Sequence, residues 1–244
     1  MKINILFTAL MLLFLTACEY QSLDYAGEYI NDVGAGGSLA RFTVAGNYLY
    51  TVDFNTLKTF NIADEKNPQL IDEIPIGYTA ETLFIYGNLL LLGTRSGVNI
   101  YDISEPAEPQ FLASSVHIYS CDPVVAKDNY AYATLNSVRN CNGYTNELRV
   151  IDISNPSDPV VVDQYTMNGP QGLGISGNLL FVCDDRLKIY DITDPLNLQP
   201  VLEINIPAVD VIPIDTLLLV ATEQGLAEYA ITDDYQLTFL SSIY

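Results

Sequence analysis

The chain has 244 residues, 49% hydrophobic and only 16% charged, which excludes a disordered polymer and is enough for one large β domain or two small ones. Thirty acids against ten bases give a formal net charge of −20, a field that repels phosphate backbones and disfavours nucleic acid as a partner. Cations, cationic surfaces and neutral ligands are left open, and the same acidity also serves simply to keep an exported protein soluble.

In chain order, residues 1–17 carry one base, Lys2, followed by an apolar run from Ile3 to Ala17. About 15 apolar residues are too few to cross a bilayer, which takes about 20. A charged start, a short apolar stretch and small residues at its end are the marks of a secretory signal. Leu15-Thr16-Ala17-Cys18 resembles the lipobox of bacterial lipoproteins. That resemblance implies a mature chain beginning at an acylated Cys18 and held in a membrane by its acyl chains. Glu19 follows where aspartate is associated with inner-membrane retention, so the outer membrane is favoured. Residues 18–27 read as the lipidated N-terminus and a tether, and residues 28–244 as the folded domain. A secreted protein with a chance cysteine is the plainer alternative.

Five copies of one pattern then follow. A strand-like segment recurs as "LKTFNI" (57–62), "VNIYDI" (98–103), "LRVIDI" (148–153), "LKIYDI" (187–192) and "LAEYAI" (226–231). Upstream of each lies another: "NYLYTV" (47–52), "NLLLLG" (88–93), "NYAYAT" (129–134), "NLLFVC" (178–183) and "TLLLVA" (216–221). A shorter β-like stretch precedes each pair, and a polar turn with a further strand, such as "PVVVDQY", follows. Four short strands in a unit of roughly 40 residues predict an all-β fold, a β-propeller of about five four-stranded blades. The third-strand spacings of 41, 50, 39 and 39 place an insertion in one blade. "AGEYIND" (26–32) and the C-terminal "YQLTFLSSIY" both suit a blade's outer strand, so a partial sixth blade stays open.

The recurring "DI[ST]xP" phrase places Asp102, Asp152 and Asp191 at strand ends, with Asn61 and Ala230 in the corresponding places. An aspartate there accepts backbone N–H bonds in the following turn, and proline ends the strand. A row of calcium ligands is the alternative, but one acid per blade lacks the oxygen density calcium requires. These residues, above all "LRVIDISNPSDP", resemble the LVIVD-repeat family of exported bacterial proteins over roughly residues 40–235. The resemblance implies a propeller and carries no common activity with it.

Cys121 lies where the second blade hands over to the third, and Cys141 lies within that blade's extended connection "LNSVRNCNGYTNE". Both loops emerge on one face of a propeller, so a disulfide between them is expected in an oxidising compartment. Closing a loop of about 20 residues would contribute roughly 3 kcal/mol in the chain-entropy treatment. Two free thiols are the alternative, and mass analysis of non-reduced peptides separates the two. Cys183 reads as a buried core thiol. Arg139, Tyr144 and four asparagines make the inserted loop a candidate contact surface, or a solvated decoration.

His117 is the only histidine, too few for a multi-histidine metal site, and no GxSxG elbow is present. "GAGGS" (34–38) lacks the Lys-Ser/Thr of a phosphate loop and reads as a turn. No metal or cofactor is expected, and catalytic residues are not assigned. The repeat register brings Arg41, Glu81, Asp122, Gln171 and Asp210 to the starts of the innermost strands. These would ring one shallow, acidic channel mouth, as a ligand site or as a solvated rim. The reading that follows is a membrane-anchored, non-enzymatic binding or scaffold propeller engaging an envelope protein through its loop face. The alternative is a glycan or small ligand at the channel mouth, with a hydrolase behind both.

Overall fold

A computed structural model of the chain describes residues 37–77, 79–116, 123–137, 145–232 and 235–244. These residues form five four-stranded antiparallel sheets, each wound in sequence order. Blade one is β1 (Phe42–Ala45), β2 (Tyr48–Asp53), β3 (Thr56–Asn61) and β4 (Gln69–Pro75). Blade two is β5 (Ala80–Tyr86), β6 (Leu89–Thr94), β7 (Gly97–Asp102) and β8 (Gln110–Val116). Blade three is β9 (Val124–Lys127), β10 (Tyr130–Leu135), β11 (Glu147–Asp152) and β12 (Val160–Thr166). Blade four is β13 (Leu173–Ser176), β14 (Leu179–Cys183), β15 (Leu187–Asp191) and β16 (Gln199–Ile204). Blade five is β17 (Ala208–Ile214), β18 (Leu217–Thr222), β19 (Gly225–Ile231) and β20 (Leu237–Ile243). The first strand of each blade lies innermost, with β5 against β1, β9 against β5, β13 against β9 and β17 against β13. This is the predicted β-propeller. β20 fills the outer-strand place of blade five, whereas residues 26–32 lie outside the described residues.

The repeat is a backbone device as much as a sequence one. The turn after each innermost strand needs a residue at positive φ: Gly46, Gly87 and Gly177 supply it at 54–55°, and Asp128 and Asp215 at 49° and 52°. At the end of each third strand or just beyond it, an isoleucine N–H returns to the residue before the second strand. Ile62, Ile103, Ile153 and Ile192 each donate to an asparagine carbonyl at 2.8 Å, and Ile231 donates to Thr216 at 2.7 Å. Each outer strand carries one extra residue opposite the third strand, at Ile71, Leu112, Val162, Val201 and Leu240. Such bulges twist an exposed edge and hinder its pairing with a foreign strand.

The "DI[ST]xP" aspartates close turns. Asp102 Oδ1 accepts from Ser104 N at 2.7 Å, and Asp152 and Asp191 accept from Ser154 and Thr193 N at 2.8 Å. Asn61 does the same for Ala63 at 2.9 Å. These bonds to Ser104, Ser154 and Thr193 hold the three carboxyls below the usual aspartate range.

Stacking buries what a single sheet cannot. One apolar cluster joins blades one and two around Tyr50, Leu57, Ile85 and Leu90. A second joins blades two and three around Leu91, Ile100, Val124 and Ile151. The third runs from Tyr132 and Val150 to Leu180 and Val182, and the fourth from Phe181 and Leu187 to Val211 and Leu218. Blades two, three and four are therefore covered on both faces, and the continuous apolar runs of β6 and β14 follow from that. Among the described residues, no such cluster joins blade five to blade one. Val44, Leu49 and Phe60 on one side, and Ile212, Leu217 and Leu219 on the other, stay half-buried.

Because Asp152 acts through one exposed turn, Asp152→Ala should destabilise by about 1 kcal/mol. For a domain of this size that lowers Tm by roughly 2–4 °C. The depressed carboxyl contributes above the unfolded aspartate pKa and loses its contribution as pH falls through the lower folded value. The two proteins should therefore converge in acid, and an equal Tm near neutrality would contradict the turn assignment.

Candidate binding site at the channel mouth

The innermost strands of blades one to four begin around one cavity of about 280 Å3, lined by Arg41, Glu81, Arg95, Pro123, Asn136 and Gln171 among others. Local structure explains each placement. Glu81 is the extra residue of a bulge at the start of β5, between the paired positions Ala80 and Thr82. Arg95 sits in the β6–β7 hairpin turn, where the Thr94 hydroxyl donates to Gly97 O and accepts from Ser96 N. Asn136, 4% exposed, donates through Nδ2 to Pro170 O at 2.6 Å, tying blade three to the segment that leads into blade four. The Thr134 hydroxyl makes the adjacent link to Gln171 O.

Glu81 is the electrostatic centre of the cavity. Its Oε1 accepts from Arg95 Nε at 3.1 Å, and its Oε2 pairs with Arg41 Nη2 at 3.5 Å. The carboxylate is 17% exposed and its arginines 41% and 52%. Two guanidinium groups thus stand against one carboxylate. Arg41, Glu81 and Arg95 together carry one excess positive charge. Beside this cavity lies another of about 270 Å3, reaching from Gln171 to Asp185, Val209 and Gln224. Its floor is fixed by Asp184, which accepts from Asn168 N, Gly169 N and Lys188 Nζ. Gln171 borders both cavities, and its Oε1 is buried with no hydrogen-bond partner among the described residues.

Of the five expected mouth residues, Arg41, Glu81 and Gln171 come together here. Asp122 is outside the described residues, as are Cys18, His117, Cys121, Arg139, Cys141 and Tyr144. Asp210 has a different setting. It accepts from Ser38 Oγ at 3.1 Å, Leu39 N at 3.3 Å and Val211 N at 3.0 Å. Ser38 Oγ in turn accepts from Leu173 N at 2.8 Å. Asp210 therefore latches the segment leading into blade one onto blades four and five. A Cβ at Gly37 or at Gly172 would lie 2.1 Å from an Asp210 carboxylate oxygen, so both glycines make room for it. Burial outweighs these bonds and raises the Asp210 carboxyl to about 6. Nearby Cys183 is the expected buried thiol, and burial and then Asp210 push its ionisation well up. Among the described residues, no group of three His, Cys, Asp or Glu side chains is placed to hold a metal ion.

Arg95, Asn136 and Ser38 were not among the expected site residues. Arg95 was accessible in principle, because second-to-third-strand turns emerge on the face where innermost strands begin. The raised Asp210 carboxyl generates a prediction with a definite sign. Its protonated form is favoured by folding, so its contribution is complete below the unfolded pKa near 4 and is lost as pH rises through about 6. Asp210→Asn cannot ionise and should gain on the wild type across that window, by up to about 3 kcal/mol. Denaturant unfolding at pH 4, 5, 6 and 7 measures the difference, and parallel curves would contradict the assignment.

Comparison with known proteins agrees with this construction. A model of the LVIVD repeat matches residues 36–72 and 120–167, which fall on blades one and three. No curated protein matches the chain by sequence. Among solved structures, the fold is similar to a functionally unknown protein from Desulfotomaculum acetoxidans DSM 771, with TM-score 0.67 and 11% identity over 89% of this chain and 70% of that one. The periplasmic gluconolactonase PpgL of Pseudomonas aeruginosa gives 0.63 and 15% over 81% and 67%. BamB from Moraxella catarrhalis gives 0.57 and 14% over 82% and 59%. Identities this low speak for shared fold alone. Two stretches of the chain match the LVIVD repeat, and the chain folds as a β-propeller.

Proposed function

We propose that the protein is a non-enzymatic binding propeller of the bacterial cell envelope, anchored through lipid on Cys18, that engages a protein partner through its loop face. The observation that carries the reading is the channel mouth. Four blades contribute to one cavity there, around the Arg41–Glu81–Arg95 cluster. Charged and amide groups gathered in a concave site on a rigid scaffold favour recognition. Each Glu81 oxygen faces a guanidinium, an arrangement that suits holding geometry better than accepting a proton from a substrate. The lipobox-like Leu15–Cys18 supports the anchor, Glu19 after it favours the outer membrane, and the periplasmic gluconolactonase is one exported protein of the same fold. A Cys121–Cys141 bridge belongs to the same proposal, since it would staple the connection that carries Arg139 and Tyr144.

A second reading, a glycan or small ligand in the mouth itself, is favoured by the amide and charged side chains that line the cavity. Affinity capture from detergent-solubilised native membranes separates the two, using wild type against a Glu81→Ala/Gln171→Ala variant. Asp210 is kept intact because its loss would test folding. One specific envelope protein should accompany the wild type and disappear with the variant. Recovery of bait alone from wild type would contradict the protein-partner reading, and equal capture by both would move the contact away from the mouth. Cys18→Ser should shift the chain from the membrane to the soluble fraction, and unchanged membrane retention would contradict the lipid anchor.

A further inference from the structure

We propose that residues 26–33, "AGEYINDV", seat in the seam between blade five and blade one and supply the apolar cover that those two blades lack. The inference goes beyond the reading of the channel mouth and does not depend on it. Its first support is a break in the repeat. In β2, β6, β10, β14 and β18 the second residue faces the preceding blade and the third faces the following one. Leu90, Ala131, Leu180 and Leu218 take the second place, each in a cluster with the blade before, and all are fully buried. Tyr50, Leu91, Tyr132 and Phe181 take the third, and they are fully buried as well. Leu49 and Leu219 are the two exceptions, both half-buried, and both belong to the seam. Leu49 stands across the sheet from Val44 and Phe60, and Leu219 from Ile212, so each wall is an apolar row.

The second support is the route of the chain. Ser38 Oγ and Leu39 N donate to Asp210, and a Cβ at Gly37 would lie 3.3 Å from Ile212 Cγ1. Asp210 and Ile212 share the face of β17 that belongs to the seam. The chain therefore reaches β1 by passing along the open face of blade five, at the axial end of the gap. Only Gly34-Ala35-Gly36 separates residues 26–33 from that point. A segment delivered so close competes at a high effective concentration, which favours it over a second copy of the chain. The third support is reach and pattern. Eight extended residues span about 26 Å, whereas a four-stranded blade is about 14 Å from first strand to last. The segment thus reaches from the axis to the rim. Successive side chains of an extended strand point to opposite sides, so adjacent Tyr29 and Ile30 suit a slot with an apolar wall on each side. Their burial there would hold the ends of the blade stack together from outside the Asp210 latch.

Two measurements on the full chain test this. With p-benzoylphenylalanine in place of Tyr29, irradiation should cross-link position 29 to peptides of β2, β3, β18 or β19 in the same chain. Cross-links to a second chain, cross-links spread over blades two to four, or none at all would overturn the proposal. Hydrogen exchange then compares the wild type with Tyr29→Ser/Ile30→Ser, after circular dichroism has verified that the variant is folded. Amides of β2 and β18 should exchange at least about tenfold faster in the variant, while those of β10 keep their wild-type rates. Unchanged exchange in β2 and β18, or equal acceleration in all five blades, would overturn the proposal too. The cross-link reads the seated segment directly, so it decides the matter even where the double substitution prevents folding.

Discussion

Everything else in this molecule depends on one constraint: a four-stranded blade has two faces and can cover neither by itself. The chain meets it by stacking, and four apolar clusters knit five blades into one body. Blades two, three and four are covered on both faces, and β6 and β14 accordingly carry continuous apolar runs. Blades one and five each have one covered face. Between them, polar contacts replace an apolar cluster, with Ser38 bonded to Asp210 on one side and Leu173 on the other. Stability thus grows inward from the seam, and the latch joins the ends of the stack at its centre.

The same stacking produces the site. Each blade begins at the axis, so whatever residue opens an innermost strand is delivered to a common mouth. Variation there leaves the buried interfaces untouched. Repetition of the module and diversity of the mouth are therefore compatible, and the structure shows both. The turn aspartates recur in nearly identical geometry, while the corresponding mouth positions carry Arg41, Glu81 and Gln171. Opposite charges at neighbouring blade starts hold one another in place, so the cavity is preorganised before any ligand arrives.

The fold was legible in the sequence because its determinants are local. Strand, positive-φ turn, strand and Asx turn all lie within a few residues, and the pattern recurs five times. The convergence of Arg41, Glu81 and Gln171 followed from the repeat register alone. Asp210 did not follow, because its partner Ser38 lies 172 residues away and no local pattern records that bond. The half-covered seam was equally hidden. "TLLLVA" in β18 looks as buried as "NLLLLG" in β6, yet Leu217 and Leu219 are half-buried where Leu91 and its neighbours are enclosed. Hydrophobicity records a demand for cover, whereas the cover itself depends on which blade stands alongside.

Native-state hydrogen exchange, read strand by strand by mass spectrometry, tests this account most directly. Second strands share the same hydrogen-bonding pattern in every blade, so differences among them report the cover supplied by neighbours. If stacking sets stability, the amides of β6, β10 and β14 should be the slowest to exchange, with β2 and β18 markedly faster. Equal protection of all five second strands would contradict it, because the blades would then be stabilised individually rather than by one another.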